Sequence, residues 1–296
     1  MTDVPITPAP AAASRLRSAG RYVKRHPGLV VGAGIALFIA VVAVLSPWLA
    51  PYPQDAGTAT NLLATLKPPA ADHPLGTDMV GRDVLSRVLY GTWVSVGSAI
   101  VIIFCALLVG VPIGLISGAA GGKLDDILMR IVDVFLAFPS LLLALAIGAA
   151  LGPSLDHAAL AIIFAWWPWY ARLMRGEAAA IRRRTYVESS LLLGVSGWRV
   201  ALRHILPNAA GPVIVQSSLD LGGVILTLAA LSFLGLGAQD PTPEWGLMVE
   251  QGRSLVSTHP WVALVPGLAI MLAALAFTLL GEGLRERLDP KGATRR

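Results

Sequence analysis

Thr92-Trp-Val-Ser-Val-Gly-Ser-Ala-Ile-Val-Ile-Ile-Phe-Cys-Ala-Leu-Leu-Val-Gly-Val-Pro-Ile-Gly-Leu-Ile-Ser117 carries no charged side chain from end to end. At a rise of 1.5 Å per residue, about 20 apolar residues cross the hydrocarbon core of a bilayer, so this run is long enough to span it as a helix. Working outward, five more runs are long and predominantly apolar: Gly28 to Ala50, Leu124 to Leu151, His157 to Leu173, Ala209 to Leu236, and Trp261 to Leu284. They are continuously apolar, without the alternation of outer-membrane strands, which favours helices over a barrel. The whole chain agrees: 55% of its 296 residues are hydrophobic, 14% are charged and mean hydropathy is +0.68, too apolar for a soluble domain of this length. The expected fold is an all-α membrane protein with six transmembrane helices in a single domain over 28–290, flanked by tails 1–27 and 291–296.

The basic residues orient the spans. Only Lys67, Arg82, Arg87 and Arg253 fall in loops on one side, and the other nineteen of the 23 Lys and Arg residues flank or fill segments on the opposite side. Positive charge collects on the cytoplasmic side, so both termini are expected there. The pI near 9.7 then reports topology and calls for no nucleic acid. The Pro- and Ala-rich start, Met1 to Ala13, is expected to be disordered. The first apolar run is too long for the core of a secretory signal and lacks a small-residue cleavage site, so it reads as a retained span.

Several chemistries lack their residues. Cys105 is the only cysteine and sits within the second span, which excludes an intrachain disulfide or a thiolate cluster. His26, His73, His157, His204 and His259 are scattered, and no His-Glu-x-x-His pattern occurs, so no metal site is expected. Gly122-Lys123 lacks both the upstream glycine and the following Ser or Thr of a phosphate-cradling loop.

A polar, basic segment, 182–207, lies between the fourth and fifth apolar runs. Arg182-Arg-Arg184 marks a membrane boundary, and Thr185 to Leu193 is expected to form a short helix that ends on Gly194 in the left-handed conformation. A second short helix is expected from Ser196, and Pro207 suits the first turn of the fifth span. The product is an L-shaped knob, with Ser189 and Ser190 small enough for a partner to approach closely. The plainer alternative is an amphipathic helix lying on the bilayer surface.

Tyr186, Glu188, Ser189, Ser190 and Gly194, followed by Ile205-Leu206-Pro207, resemble the EAA loop in the permease subunits of bacterial ATP-binding-cassette importers. In that family the loop is the coupling helix that fits a groove on the ATPase subunit. Here Ser189-Ser190 replaces the usual pair of alanines, and both residue types are small. Further blocks are similar to the C-type permeases of dipeptide and oligopeptide importers: His73 to Arg87, Phe138 to Ala144, Leu231 to Gly237, Pro243-Glu-Trp-Gly246 and Gly281 to Pro290, in family order.

The resemblance implies a type I importer permease fold in the bacterial cytoplasmic (inner) membrane. It also implies a homologous B-type permease as partner, two cytoplasmic ATPase subunits and an extracytoplasmic substrate-binding protein. ATP and Mg would sit on the ATPases, with no cofactor on this chain and no catalysis by it. The implied cargo is a dipeptide or oligopeptide, with nickel, glutathione and haem as alternatives within the same architecture.

Three features remain within or beside the bilayer. Gly110, Gly114, Gly118 and Gly122 recur every four residues, a ridge on which another helix can lie closely. Gln216, Ser217 and Asp220 put polar groups in the fifth span, where Asp220 should face the bundle interior, a subunit seam or a wet pathway. Asp83 is expected to cap a short interfacial helix leading into the second span, with Arg82 and Arg87 at the headgroups. Two other classes compete with a transporter subunit. Gly194-Val-Ser-Gly197 matches the short motif of an intramembrane serine protease, which would need Ser196 and a histidine to meet within the membrane. A secondary carrier working through Asp133 and Asp220 would need an internal repeat, which the two halves do not display.

Overall fold

The computed structural model of the chain describes residues 27–288. The tails 1–27 and 291–296 lie outside these residues, apart from Pro27. The described part is helical, in the order α1 (Pro27–Leu49), α2 (Val84–Ala120), α3 (Gly122–Leu136), α4 (Ser140–Leu151), α5 (Leu155–Arg182), α6 (Thr185–Leu192), α7 (Gly197–Val200), α8 (Leu206–Phe233), α9 (Trp245–Gly252) and α10 (Trp261–Leu288). Among the described residues the one β-type pairing is an isolated bridge between Thr77 and Asp83.

Four helical units are long and apolar enough to cross a membrane: α1 from Gly28, α2, the unit Gly197–Phe233 and α10. The run expected as one span over 124–151 is broken instead, into α3 and α4, which meet at a bend of 81°. The physical reason is Pro139, which follows the last turn of α3 and adopts an extended conformation (φ −56°, ψ 126°), so the helix restarts in a new direction at Ser140. Counted as one bent span, this pair makes a fifth.

The run expected at 157–173 lies inside α5, which is longer, reaching Arg182. Arg172, Arg175, Glu177 and three tryptophans lower its mean hydropathy, so apolarity alone does not mark it as a membrane-crossing helix. Its position explains the tolerance. Ala158, Ala161, Ile162, Tyr170, Ala171, Met174 and Ala178 are fully buried by its neighbours rather than by lipid.

The principal partner of α5 is α2, and glycine makes that contact possible. A Cβ at Gly110 would stand 2.4 Å from the Trp167 carbonyl oxygen, one at Gly114 2.2 Å from that of Ala171, and one at Gly118 2.5 Å from that of Arg175. With no side chain in the way, the two backbones close to full van der Waals contact, which supplies the attraction that lipid cannot. Gly122, expected to continue this ridge, does not belong to it. It opens α3 with φ +61° and has nothing within 4 Å of its would-be Cβ. Gly32 and Gly283 do the same work between α1 and α10, where added methyls would meet Leu280 and Leu29.

At the Val84 end of α2 the loops form a compact polar cap. Asp83 does cap the helix, accepting from Ser86 N and Oγ at 2.8 Å each, but no separate interfacial helix follows: α2 runs unbroken for 37 residues. Arg82 and Arg87, expected at lipid headgroups, are 4% and 1% exposed. Arg82 donates from Nε to Asp78 at 2.8 Å and from Nη1 to Asp240 at 2.9 Å, pinning the first loop to the segment before α9. Arg87 Nη1 reaches the carbonyls of Asp55 and Pro241. Burial opposes the Arg82 charge, but Asp78 and Asp240 outweigh it and hold its pKa above the ordinary value. Trp261 at the start of α10 donates to the Thr77 carbonyl, closing the cap. Two isolated guanidinium groups would snorkel; carboxylates from two distant loops allow them to be buried.

Candidate functional site: a protruding knob and a polar pocket

The knob stands at the opposite end of α2 from the cap. It begins as α5 turns at Arg183, and α6 follows with Val187 fully buried against α5 and the arm running into α8. The helix ends in a Schellman motif: Val195 N donates to Ser190 O at 3.1 Å and Gly194 N to Leu191 O at 3.0 Å. That geometry needs a left-handed residue, and Gly194 supplies it at φ +82°.

Beyond the turn the structure departs from expectation. The second arm does not stop before the fifth span. It continues through α7 and a π-helical stretch, Ala201–Ile205, directly into α8. Pro207 has no N–H to return to the preceding turn, and the widened π turn absorbs that missing bond. Nearby, the His204 carbonyl accepts a bond from Asn208 Nδ2 at 2.7 Å.

The residues expected in the knob divide by exposure. Tyr186, Glu188, Ser189 and Gly194 are exposed, Ser190 is half-buried with its hydroxyl returned to the Tyr186 carbonyl, and Pro207 is exposed. Ile205 is buried and Leu206 partly so, both packed into the cluster that anchors the knob to the bundle. These two position the knob rather than present a surface. The structure adds three residues that the motif reading passed over: Leu192 is 89% exposed, Leu193 84% and Trp198 60%. A Leu-Leu-Leu run in a basic loop was the available signal. Ser196 and His204 share this knob, and among the described residues no hydrogen bond joins them, so the protease constellation is not assembled.

Beside the knob, a cavity of about 470 Å³ is lined by Gly118, Gly121, Asp125, Arg175, Arg182 and Glu188, among others. Arg175 binds Asp125 with two bonds, at 3.0 and 2.6 Å, and Ser117 donates to the same carboxylate. Arg182 Nη1 reaches the Ala120 carbonyl at 2.7 Å. The base of the knob is therefore tied to the turn between α2 and α3.

A second pocket, of about 520 Å³, opens between α5, α8 and the start of α4. Its lining is Ser140, Trp166, Trp169, Arg172, Leu173, Gln216 and Asp220. Of the polar residues expected in the fifth span, it includes Gln216 and Asp220 but not Ser217, whose hydroxyl bonds the Ile214 carbonyl of its own helix at 2.9 Å. Asp220 faces inward, accepting from Tyr170 Oη at 2.8 Å and from Gln216 Nε2 at 2.9 Å. Asp133 is paired with Arg172. No group of three or more potential metal ligands occurs among the described residues.

The sequence that folds into this bundle of membrane helices has known relatives. Residues 110–292 match the family described as binding-protein-dependent transport system inner membrane component, and residues 14–69 match the N-terminal TM domain of oligopeptide transport permease C. The chain belongs to this family of inner-membrane permeases.

Its curated relatives agree. The permease is 46% identical to the probable D,D-dipeptide transport system permease protein DdpC of Escherichia coli strain K12, over 91% of this chain and 89% of the relative. It is 41% identical to the dipeptide transport system permease protein DppC of Haemophilus influenzae, over 98% and 99%. It is also 41% identical to the glutathione transport system permease protein GsiD of Pectobacterium atrosepticum, over 92% and 89%. An inward-facing structure of the MetNI methionine ABC transporter shares the fold, with a TM-score of 0.56 at 15% identity, covering 69% of this chain and 97% of that one. The permease is accordingly a multi-pass protein of the inner membrane.

Proposed function

We propose that this permease is the C-type transmembrane subunit of an ATP-driven importer of dipeptides or oligopeptides, and that α6 is the element through which ATPase subunits move it. The observation that carries the reading is the knob itself. Apolar side chains at Leu192, Leu193 and Trp198 are exposed around Glu188 and Ser189, on a turn tied to two long helices. Exposed apolar groups ringed by polar ones fit a protein partner better than water.

In this reading α5 supplies the sixth span, counting α3 and α4 as one, both termini lie in the cytoplasm with the knob, and the polar cap faces the binding protein. A homologous B-type permease completes the pathway, and two ATPases hold ATP and Mg. The chain does mechanical work and no bond chemistry. ATP-driven closure of the ATPases would draw the knobs together and rotate the attached helices as rigid bodies, switching the pathway between inward-open and outward-open. The names of the relatives favour peptide cargo, and the glutathione relative keeps a γ-linked peptide within range.

The test is reconstitution of the permease with its partner subunits and binding protein in proteoliposomes. ATP-dependent uptake of radiolabelled dipeptide is expected in the assembled complex and not with the permease alone. Uptake by the purified permease alone, driven by a proton gradient, would contradict the proposal.

A further inference from the structure

The pocket between α5 and α8 holds a feature that knob and cap do not explain. Asp220 lies half-way along α8, and its two partners, the Tyr170 hydroxyl and the Gln216 amide, are both neutral. Among the described residues no Lys, Arg or His lies within ion-pair distance of it, although Arg172 lines the same pocket; Arg172 is paired with Asp133. Two good hydrogen bonds orient a carboxylate without cancelling its charge, and an uncompensated carboxylate in a membrane helix is costly unless something else visits it.

The walls of the pocket say what kind of visitor fits. Trp166 and Trp169 line it, the latter 54% exposed, and indole faces attract cations as well as apolar groups. A carboxylate between aromatic walls is the arrangement that takes an organic ammonium group. A divalent metal ion fits poorly, since no second or third ligand of the usual kind is grouped with Asp220.

We propose that this pocket is a subsite for the free ammonium terminus of a peptide in transit, with Asp220 as the anion that receives it and Trp166 and Trp169 as its walls. The inference rests on the import reading above and adds to it a specificity-determining residue in the membrane domain, separate from whatever selection the binding protein makes. It also divides the cargo alternatives. Peptides and glutathione carry an ammonium terminus; nickel ions and haem do not.

The experiment uses the assembled permease–ATPase complex in nanodiscs without binding protein, so that only the membrane domain can select. Dialanine and N-acetyldialanine are compared by saturation-transfer NMR. Wild-type complex is expected to give a dialanine signal at least fivefold above that of the acetylated peptide. Asp220→Asn should bring the two together, and Trp169→Ala should weaken the dialanine signal while leaving the charge in place. Tyr170→Phe, which removes a hydrogen bond but no charge, should keep most of the preference, which separates a charge role from a structural one. Ser217→Ala, altering a hydroxyl spent on its own helix, should match wild type. Equal signals for the two peptides in wild type, or a full preference retained by a co-purifying Asp220→Asn complex, overturn the proposal. Failure of the wild-type complex to import any peptide in proteoliposomes would instead sink the transport reading, since the NMR comparison reports on the pocket regardless of uptake.

Discussion

Gly194 is the residue on which the knob depends most. At φ +82° a β-branched side chain is strained by about 1–3 kcal/mol, although the space around it is open. Gly194→Val is therefore expected to fold and assemble but to distort the turn, with peptide uptake and transport-linked ATPase activity both falling at least fivefold; wild-type values in a normally assembled complex would show that the turn does not matter. A second prediction concerns the cap, where Glu244 is 1% exposed, accepts from Leu247 N at 2.9 Å, and is bonded by Ser95 at 3.2 Å. Burial raises its pKa despite these bonds, so the folded protein holds the Glu244 proton more tightly than the unfolded chain does. Stability from this group is then present in acid and is lost as pH rises above the ordinary glutamate value of about 4.3. Asp240 has the opposite sign: burial raises its pKa, but the Arg82 hydrogen bond and charge prevail and lower it, so its contribution is lost as pH falls below the ordinary aspartate range. Glu244→Gln should flatten the decline of Tm as pH rises above the ordinary glutamate range, and an unchanged slope would assign that decline elsewhere. Residue roles set by local geometry were legible in the sequence, as at Gly194 and the Asp83 cap. Arg82 and Arg87 were not, because the carboxylate and carbonyl that bury them, on Asp240 and Pro241, lie far along the chain.

Among elements, the α2–α5 pair is the one most dependent on side-chain size. Its ridge of Gly110, Gly114 and Gly118 was readable from the four-residue spacing, because small residues at that period share one helix face. Gly114→Leu would push a branched side chain into the Ala171 carbonyl and Met174, an overpacking that costs about 1–3 kcal/mol or more. The expected result is loss of monodisperse protein in detergent, or a Tm lowered by several degrees; an unaltered melting curve would mean that the helices are not in contact there. Gly223→Ala, with nothing within 4 Å of its Cβ, is the matched control and should be neutral. Hydropathy alone placed the spans of α1, α2, α8 and α10 well. It merged α3 with α4 because Pro139 interrupts direction without interrupting apolarity, and it shortened α5 because a helix surrounded by other helices can carry Arg172 and Arg175. The π-helical stretch before α8 left no signal except Pro207, which fits an ordinary helix start equally well.

At the scale of the whole molecule, the knob, the α2–α3 turn and the ends of α5 and α8 form one mechanical unit. Arg182 and the Arg175–Asp125 pair hold it together. On the proposed reading, force applied at α6 would pass through these contacts to α5 and α8, the helices that line the Asp220 pocket. On that reading, the exposed tip of this unit seats on an ATPase subunit. A Leu192→Cys variant, with Cys105→Ser to remove the only native thiol, places a reporter at a position of that tip that is 89% exposed. Cross-linking of intact, co-purified complex with a short bifunctional reagent is predicted to give a permease–ATPase adduct whose yield changes when ATP is bound. No adduct with the ATPase, together with labelling of the same cysteine by an impermeant reagent applied from outside sealed cells, would contradict the account.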